Sequence, residues 1–324
     1  MTTHTLAAHD GQLVVAQRGA RLLSATLPAV EGNLFFENEQ GSGGDRLWIA
    51  PEVAYFWPSL EQARQDPIKW ARTLPQMDPG DYVWDAVSST RLCLKTTMSL
   101  ADARDGKRID LDVTRSMAVV NPPADLPQDV ASMSFSTTHT LIAVGGDAGA
   151  VAGAWSLLQV PPAGTLICPT TMRVAPRSYY DSFGDQHVSC DAQAVRFLID
   201  ANRRIKMGLR PKHTTGRMGY YRQVQPGFAT LIVRVFSVYP DEPYIDIPRD
   251  YPIDQRHSGD ALQAYNDDLT FGLFGEMEHH DPAVVVGGCQ QRTGHSVTHL
   301  LAGPDPAIRA AGQALLGVPI DPIA

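Results

Sequence analysis

Short segments in which apolar and polar residues alternate follow one another along this chain with almost no helical pattern between them. Alternation with period two is the signature of a strand with one buried face. Leu13–Gln17, Ala20–Leu27 and Asn33–Glu37 open the series. Arg91–Leu100 and Ile109–Val120 follow, separated by the hairpin-forming turn DARDGK. Ser132–Val144, Ala154–Val160, Thr165–Cys168, Ala194–Asp200, Ala229–Tyr239 and Phe271–His279 continue it. Parallel strands need crossover helices, so strands in direct succession predict antiparallel pairing. The expected fold class is all-β, a large antiparallel sandwich forming a single domain over residues 1–324.

Two segments break the pattern. Ser59–Leu74 has helical character with Ser59 as N-cap, but Pro67 inside it predicts two short turns rather than one helix. Pro306–Leu316 has proline in its first turn and Gly317 just past its end, as a short helix should. The Pro-rich stretch Asp241–Ile253 is expected to be a long loop over the surface or over a site. Gly145–Gly153 reads as a turn rather than a phosphate loop, because it lacks the lysine.

The chain has 324 residues, with 44% apolar and 19% charged residues, enough to bury a sizeable core. A net charge of -8 argues against nucleic acid as a partner. No segment approaches the roughly 20 apolar residues of a membrane span, and MTTHTLAAHDGQ lacks the features of a signal peptide. The expected location is cytoplasmic, away from membranes. Cys93, Cys168, Cys190 and Cys289 form no CxxC pair and are expected to be core thiols. The motifs GxSxG, GxxxxGK[ST] and GxGxxG are absent, so no cofactor is expected.

Three segments carry candidate chemistry. In FGLFGEMEHH, Glu276, Glu278 and His280 share one strand face, with Met277 and His279 on the other. Two carboxylates on one face repel, which raises one pKa and suits general acid–base work; a solvated outer face would accept the same residues. In GGDRLWIAPE, Asp45, Arg46, Trp48 and Glu52 combine charges with an aromatic ring, which suits a sugar or a surface turn. In DANRRIKMGLRPKHTTGRMGYY, Arg204, Lys206, His213, Arg217 and Tyr221 stand among seven basic or imidazole side chains. Such a cluster suits a carboxylate, a phosphate or hydroxyls, or is a solvated loop. Lys206 stands out because its neighbours Ile205 and Met207 point to the opposite face. An alternative is a metal-dependent enzyme: His295 and His299 share a strand face and with His280 would form a ligand set, although no HExxH motif is present.

In their order along the chain, GGDRLWIAPE, AWSLLQVPPAGTLICP, DANRRIKMGL, GDALQAYND, FGEMEHHDPAVVVGG and HSVTHLLAG resemble the galactose-mutarotase-like (aldose 1-epimerase-like) superfamily, in an uncharacterised branch of it. The resemblance spans about Gly43 to Gly303. It implies a β-supersandwich whose cleft receives a small-molecule saccharide. It implies a glutamate base late in the chain, at the strand holding Glu276 and Glu278, and a sugar-contacting arginine, matched by Arg46. The superfamily's mid-chain histidine motif is missing; His139 and His187 lie in that third among different neighbours. Epimerase, hydrolase and lyase chemistry, and a non-catalytic saccharide-binding protein, all fit these expectations. The expected catalytic set is Glu276, Glu278, Lys206 and His213. The expected substrate-binding set is Asp45, Arg46, Trp48, Glu52, Arg204, Arg217, Tyr221 and His280, with no metal.

Overall fold

A computed structural model describes residues 2–37, 43–180, 182–184, 186–250, 255 and 257–323. Among them the strands form two antiparallel sheets. Sheet one runs β1 (Thr3–Ala8), β2 (Gly11–Ala16), β3 (Arg21–Thr26), β4 (Asp45–Ala50), β9 (Val151–Val160), β18 (Gly275–His280), β17 (Leu262–Asn266), β14 (Ile205–Leu209) and β11 (Arg177–Ser178), with β19 (Val284–Val285) beside β9. Sheet two runs β12 (Val188–Cys190), β13 (Ala194–Ile199), β10 (Gly164–Pro169), β15 (Arg217–Gln225), β16 (Phe228–Phe236), β20 (Gln291–Pro304), β8 (Ala131–Gly146), β7 (Arg108–Val120), β6 (Arg91–Ala101) and β5 (Val83–Val87).

The inner faces of the sheets pack against each other. Leu158, Ile205, Met207, Leu262 and Met277 from sheet one meet Met117, Phe135, Met218 and Leu300 from sheet two in one core. A second core joins Leu47 and Ile49 of β4 to Leu111, Val113 and Leu141. The inner layer also holds charge. Asp45 accepts hydrogen bonds from Arg115 at 2.8 Å and from Arg234 at 2.5 Å, so one carboxylate of sheet one ties two guanidinium groups of sheet two. All three side chains are essentially without solvent.

The helices sit outside this sandwich. After β4 come α1 (Glu52–Tyr55), α2 (Leu60–Gln65) and α3 (Pro67–Trp70). The break expected at Pro67 is present: Ser59 caps α2, and Asp66 caps α3 by accepting from the amides of Ile68 and Lys69. The helical part ends at Trp70 rather than Leu74. Helix α4 (Asp305–Leu316) ends on Gly317, whose φ of 78° is the left-handed conformation that glycine adopts without strain. It packs on the outer face of sheet two through Ile308, Ala311 and Leu316.

Some expectations are corrected. Asn33–Glu37 is not a strand but a bend, joined to Gly43 by a single bridge at Glu37. Residues 271–274 precede rather than begin β18, because Asp267 draws the amides of Phe271 and Gly272 into a turn. Cys93 and Cys168 are buried core thiols as expected, whereas Cys190 is half-buried and Cys289 is exposed. The loop expected at Asp241–Ile253 runs over sheet one as far as Asp250; residues 251–253 lie outside the described residues. No helix among the described residues is long and apolar enough to cross a membrane.

Candidate functional site

Register explains which side chains meet on the outer face of sheet one. Directly opposed residues of antiparallel strands share a face. Trp48 opposes Trp155, which opposes His280. In the next row Arg46 opposes Leu157, then Glu278, Gln263 and Gly208. In the third, Gln159 opposes Glu276, then Tyr265 and Lys206. Residues far apart in sequence thus form a compact polar and aromatic grid. Met277 and His279 point the other way; His279 stacks on Phe236 of sheet two at 4.8 Å.

Glu278 is fully buried at the centre. Its Oε2 accepts from Trp155 Nε1 at 2.7 Å and lies 3.0 Å from Lys206 Nζ. Its Oε1 has no hydrogen-bond partner. Burial pushes the Glu278 carboxyl well above the usual carboxylate range; the Lys206 ammonium pulls it back, and Glu276 and Glu52 add to the rise. Burial opposes the charge on Lys206, but Glu278 and Glu52 outweigh it and hold the ammonium well above the ordinary lysine value. Lys206 also lies 3.0 Å from Glu52 and 4.4 Å from the centroid of the Trp155 ring. Lys206 and Glu278 thus each shift the other's titration in favour of the charged form.

The second carboxylate, Glu276, pairs with Arg46 at 2.6 Å and accepts from Gln159 at 2.8 Å. The Arg46 guanidinium lies over Trp48 at 4.3 Å. His280 is buried and stacked on Trp155 with ring centroids 5.4 Å apart, and both its ring nitrogens lack partners. Burial, with the charge of Lys206 adding, holds its pKa well below the ordinary imidazole value, so the ring is neutral at neutral pH.

Loops and short helices roof this face. Phe56, just after α1, packs on Trp48 and Trp155. Asp246 accepts from the Glu52 amide at 2.6 Å and from Gln263 Nε2 at 2.7 Å, tying the loop to both roof and sheet. Tyr179, after β11, bonds Asp260 at 2.8 Å and Gln263 at 2.6 Å. Beside this roof lies a cleft of about 300 Å³ lined by Glu52, Trp57, Tyr179, Tyr180, Arg204 and Phe271, among others. Glu52 links the two, because its carboxylate lines the cleft and bonds Lys206 beneath.

The structure therefore brings Arg46, Trp48, Glu52, Arg204, Lys206, Glu276, Glu278 and His280 to one side of sheet one. It places the other expected residues elsewhere. Asp45, next to Arg46, points to the opposite face by strand parity and belongs to the inter-sheet ion cluster. His213 lies in the turn after β14, beside Lys212, Arg210 and Arg177. Arg217 is exposed on β15 of sheet two. Tyr221 lies beneath α4 and donates to Asp305 at 2.6 Å. His295 and His299 lie on the outer face of sheet two, bonded to Thr138 and Ser134, on the far side of the sandwich from His280. The three histidines cannot share a metal, and the described residues contain no metal-binding group of His, Cys, Asp and Glu. His139 lies between the sheets, stacked on His279, and His187 pairs with Asp200; neither faces the grid.

Trp155, Gln159, Tyr179, Tyr180, Asp246, Gln263 and Phe271 belong to the site without having been expected there. Several lie in segments that carry the family resemblance, but nothing in those segments singles them out as site residues; strand pairing and the loops over the sheet gather them.

Comparison with solved structures identifies the fold. A galactose mutarotase-like protein from Lactobacillus casei aligns with a TM-score of 0.52 at 7% identity, covering 92% of this chain and 100% of that one. An Escherichia coli protein provisionally assigned as an aldose 1-epimerase aligns at 0.53 and 12% identity, covering 94% and 99%. A galactose mutarotase related enzyme from Lactobacillus acidophilus aligns at 0.51 and 7% identity, covering 94% and 99%. The expected fold is thus present: a galactose-mutarotase-like β-supersandwich. No curated protein matches the chain. A family model described as a family of unknown function, DUF6786, matches residues 31–324, and the chain belongs to that family.

Proposed function

We propose that the protein binds a small saccharide over the outer face of sheet one and acts on it by general-base catalysis, with Glu278 as the base. One observation carries this reading: a buried carboxylate with one oxygen held by Lys206 and Trp155 and the other left without a partner. A buried polar atom without a partner is costly, and such atoms concentrate where a ligand completes them. The raised pKa of Glu278 matches a base that works near neutrality. The flanking tryptophans, Arg46 and the aromatic cleft suit a ligand with apolar ring faces and many hydroxyls. The names of the structural neighbours, which speak of galactose mutarotase and of an aldose 1-epimerase, agree with this substrate class.

On a hemiacetal, Glu278 Oε1 would take the proton of the anomeric hydroxyl. The freed pair forms the carbonyl, the C1–O5 pair moves to the ring oxygen, and the Lys206 ammonium supplies a proton there. Lys206 is given this role because it is the cation beside Glu278, neither His139 nor His187 reaches the face, and protonation of Glu278 removes one of the carboxylates that hold the Lys206 proton. Closure on the other side of the carbonyl reverses the proton transfers. Polarimetry of freshly dissolved aldoses tests the proposal: it expects faster equilibration with the wild type and loss of that effect in Glu278→Gln.

The complete burial of Glu278 favours a second reading, in which the cleft binds a saccharide and no reaction follows. Saturable sugar binding with no turnover of any bound sugar would select it.

A further inference from the structure

We infer that the ligand of the cleft carries an anionic group, a carboxylate or a phosphate, held by Arg204; the inference rests on the saccharide reading above and names its substrate class.

Among the described residues, the charges lining the cleft are matched except at Arg204. Glu52 pairs with Lys206 at 3.0 Å, and Asp250 pairs with Arg249 at 3.2 Å and with Arg64 at 3.5 Å. Deeper in, Arg46 pairs with Glu276. Arg204 lines the same cleft and has no carboxylate within ion-pair distance among the described residues. Its guanidinium lies 5.8 Å from the centroid of the Tyr180 ring. Asp268 feels its charge only at longer range, being bound instead to Thr270. A half-buried guanidinium in this position keeps its fork of donors for a ligand, and that fork matches a carboxylate or phosphate in two-point fashion.

The backbone that carries Arg204 is built to hold one position. The fully buried Asn266 accepts from the amides of Asp200 at 3.0 Å and Ala201 at 2.9 Å. Its amide group donates to Asp200 Oδ1 and to the Arg203 carbonyl, both at 2.9 Å. Four hydrogen bonds from one side chain thus fix the turn directly before Arg204. A solvated arginine on a loop needs no such mount; an arginine that positions a ligand does. With the anionic group at Arg204, a sugar ring in the cleft lies among Trp57, Tyr179, Tyr180 and Phe271, with hydroxyls within reach of Glu52.

Calorimetric titration with galactose, galacturonate, glucose and glucose 6-phosphate tests this. The expected result is that at least one charged sugar binds about tenfold or more tightly than its neutral parent, the scale of one charge-assisted hydrogen-bond pair. The galacturonate and glucose 6-phosphate arms tell a carboxylate from a phosphate. The preference should fall with added salt, vanish in Arg204→Gln and survive in part in Arg204→Lys, which keeps the charge without the fork. Equal binding of charged and neutral sugars, or a preference that persists in folded Arg204→Gln, overturns the inference and leaves the saccharide reading standing. Failure of all four sugars to bind overturns both.

Discussion

Lys206 and Trp155, which come from strands on either side of β18 and β17, converge on the same oxygen of Glu278 and on each other, with the ammonium 4.4 Å from the indole centroid. The two donors fix the carboxylate from one side. The arrangement leaves Oε1 as its free edge. A carboxylate clamped this way has a set direction in which to accept a proton, and its charge depends on its neighbours more than on solvent.

Glu278→Gln keeps shape and hydrogen bonds but removes basicity. Turnover of a sugar substrate should fall by about two to four orders of magnitude, the usual scale for losing a general base, while binding changes little. The wild-type rate should rise with pH as the medium passes the raised pKa of Glu278, because the carboxylate is the active form. Glu278→Gln should remove that rise. A pH–rate profile of both proteins checks this, and an undiminished rate in the variant would end the assignment.

Lys206→Met fills similar space without charge. The ammonium of Lys206 lowers the Glu278 pKa, so its loss should push that pKa higher still; the rate should fall with loss of the proton donor, and the rising limb of the rate that remains should move to more alkaline values. The same change leaves a buried carboxylate without its cation, with a cost of about 3–5 kcal/mol if Glu278 stays ionised and less if it takes up a proton. Urea unfolding at acidic and alkaline pH separates these cases, with the larger loss expected at alkaline pH.

The sequence made the Glu276, Glu278 and His280 face legible because period two along a single strand depends on nothing else. Arg46 and Trp48 follow the same rule. Asp45 was grouped with them by proximity, against strand parity, which sends it into the inter-sheet layer. His213, Arg217 and Tyr221 share a basic segment with Lys206, yet a turn and a change of sheet separate them from it. Trp155 could not be placed from its own segment, since its register with Trp48 and His280, each more than 100 residues away, sets its place; Gln263 likewise owes its position to pairing with Glu278 and Gly208 on the neighbouring strands. Local periodicity is written in local sequence, whereas cross-strand pairing is a property of the whole fold.

Asp45→Asn should destabilise the protein strongly without touching the cleft. It would leave Arg115 and Arg234, both fully buried, without their carboxylate. Removing one partner of a buried ion cluster costs about 3–5 kcal/mol. Chemical denaturation should report a loss on that scale, and a loss under about 1 kcal/mol would show that the cluster contributes little beyond its packing.

Asp281 supplies a pH-linked test of a buried carboxyl that lies beside His139. It follows β18, is buried, and burial raises its pKa from 3.8 to about 7. A carboxyl whose folded pKa is raised is favoured in its neutral form, so its contribution is fully present below the unfolded value and is lost as pH rises toward and past the folded one. The shift of about three units corresponds to roughly 4 kcal/mol at most between acid and mildly alkaline conditions. Asp281→Asn is uncharged throughout. Its stability relative to wild type should therefore improve steadily as pH rises from about 4 to about 8, the span from the reference to the raised value. Thermal unfolding of both proteins across that range checks the slope: parallel curves would mean that Asp281 carries its charge in the folded protein at no cost.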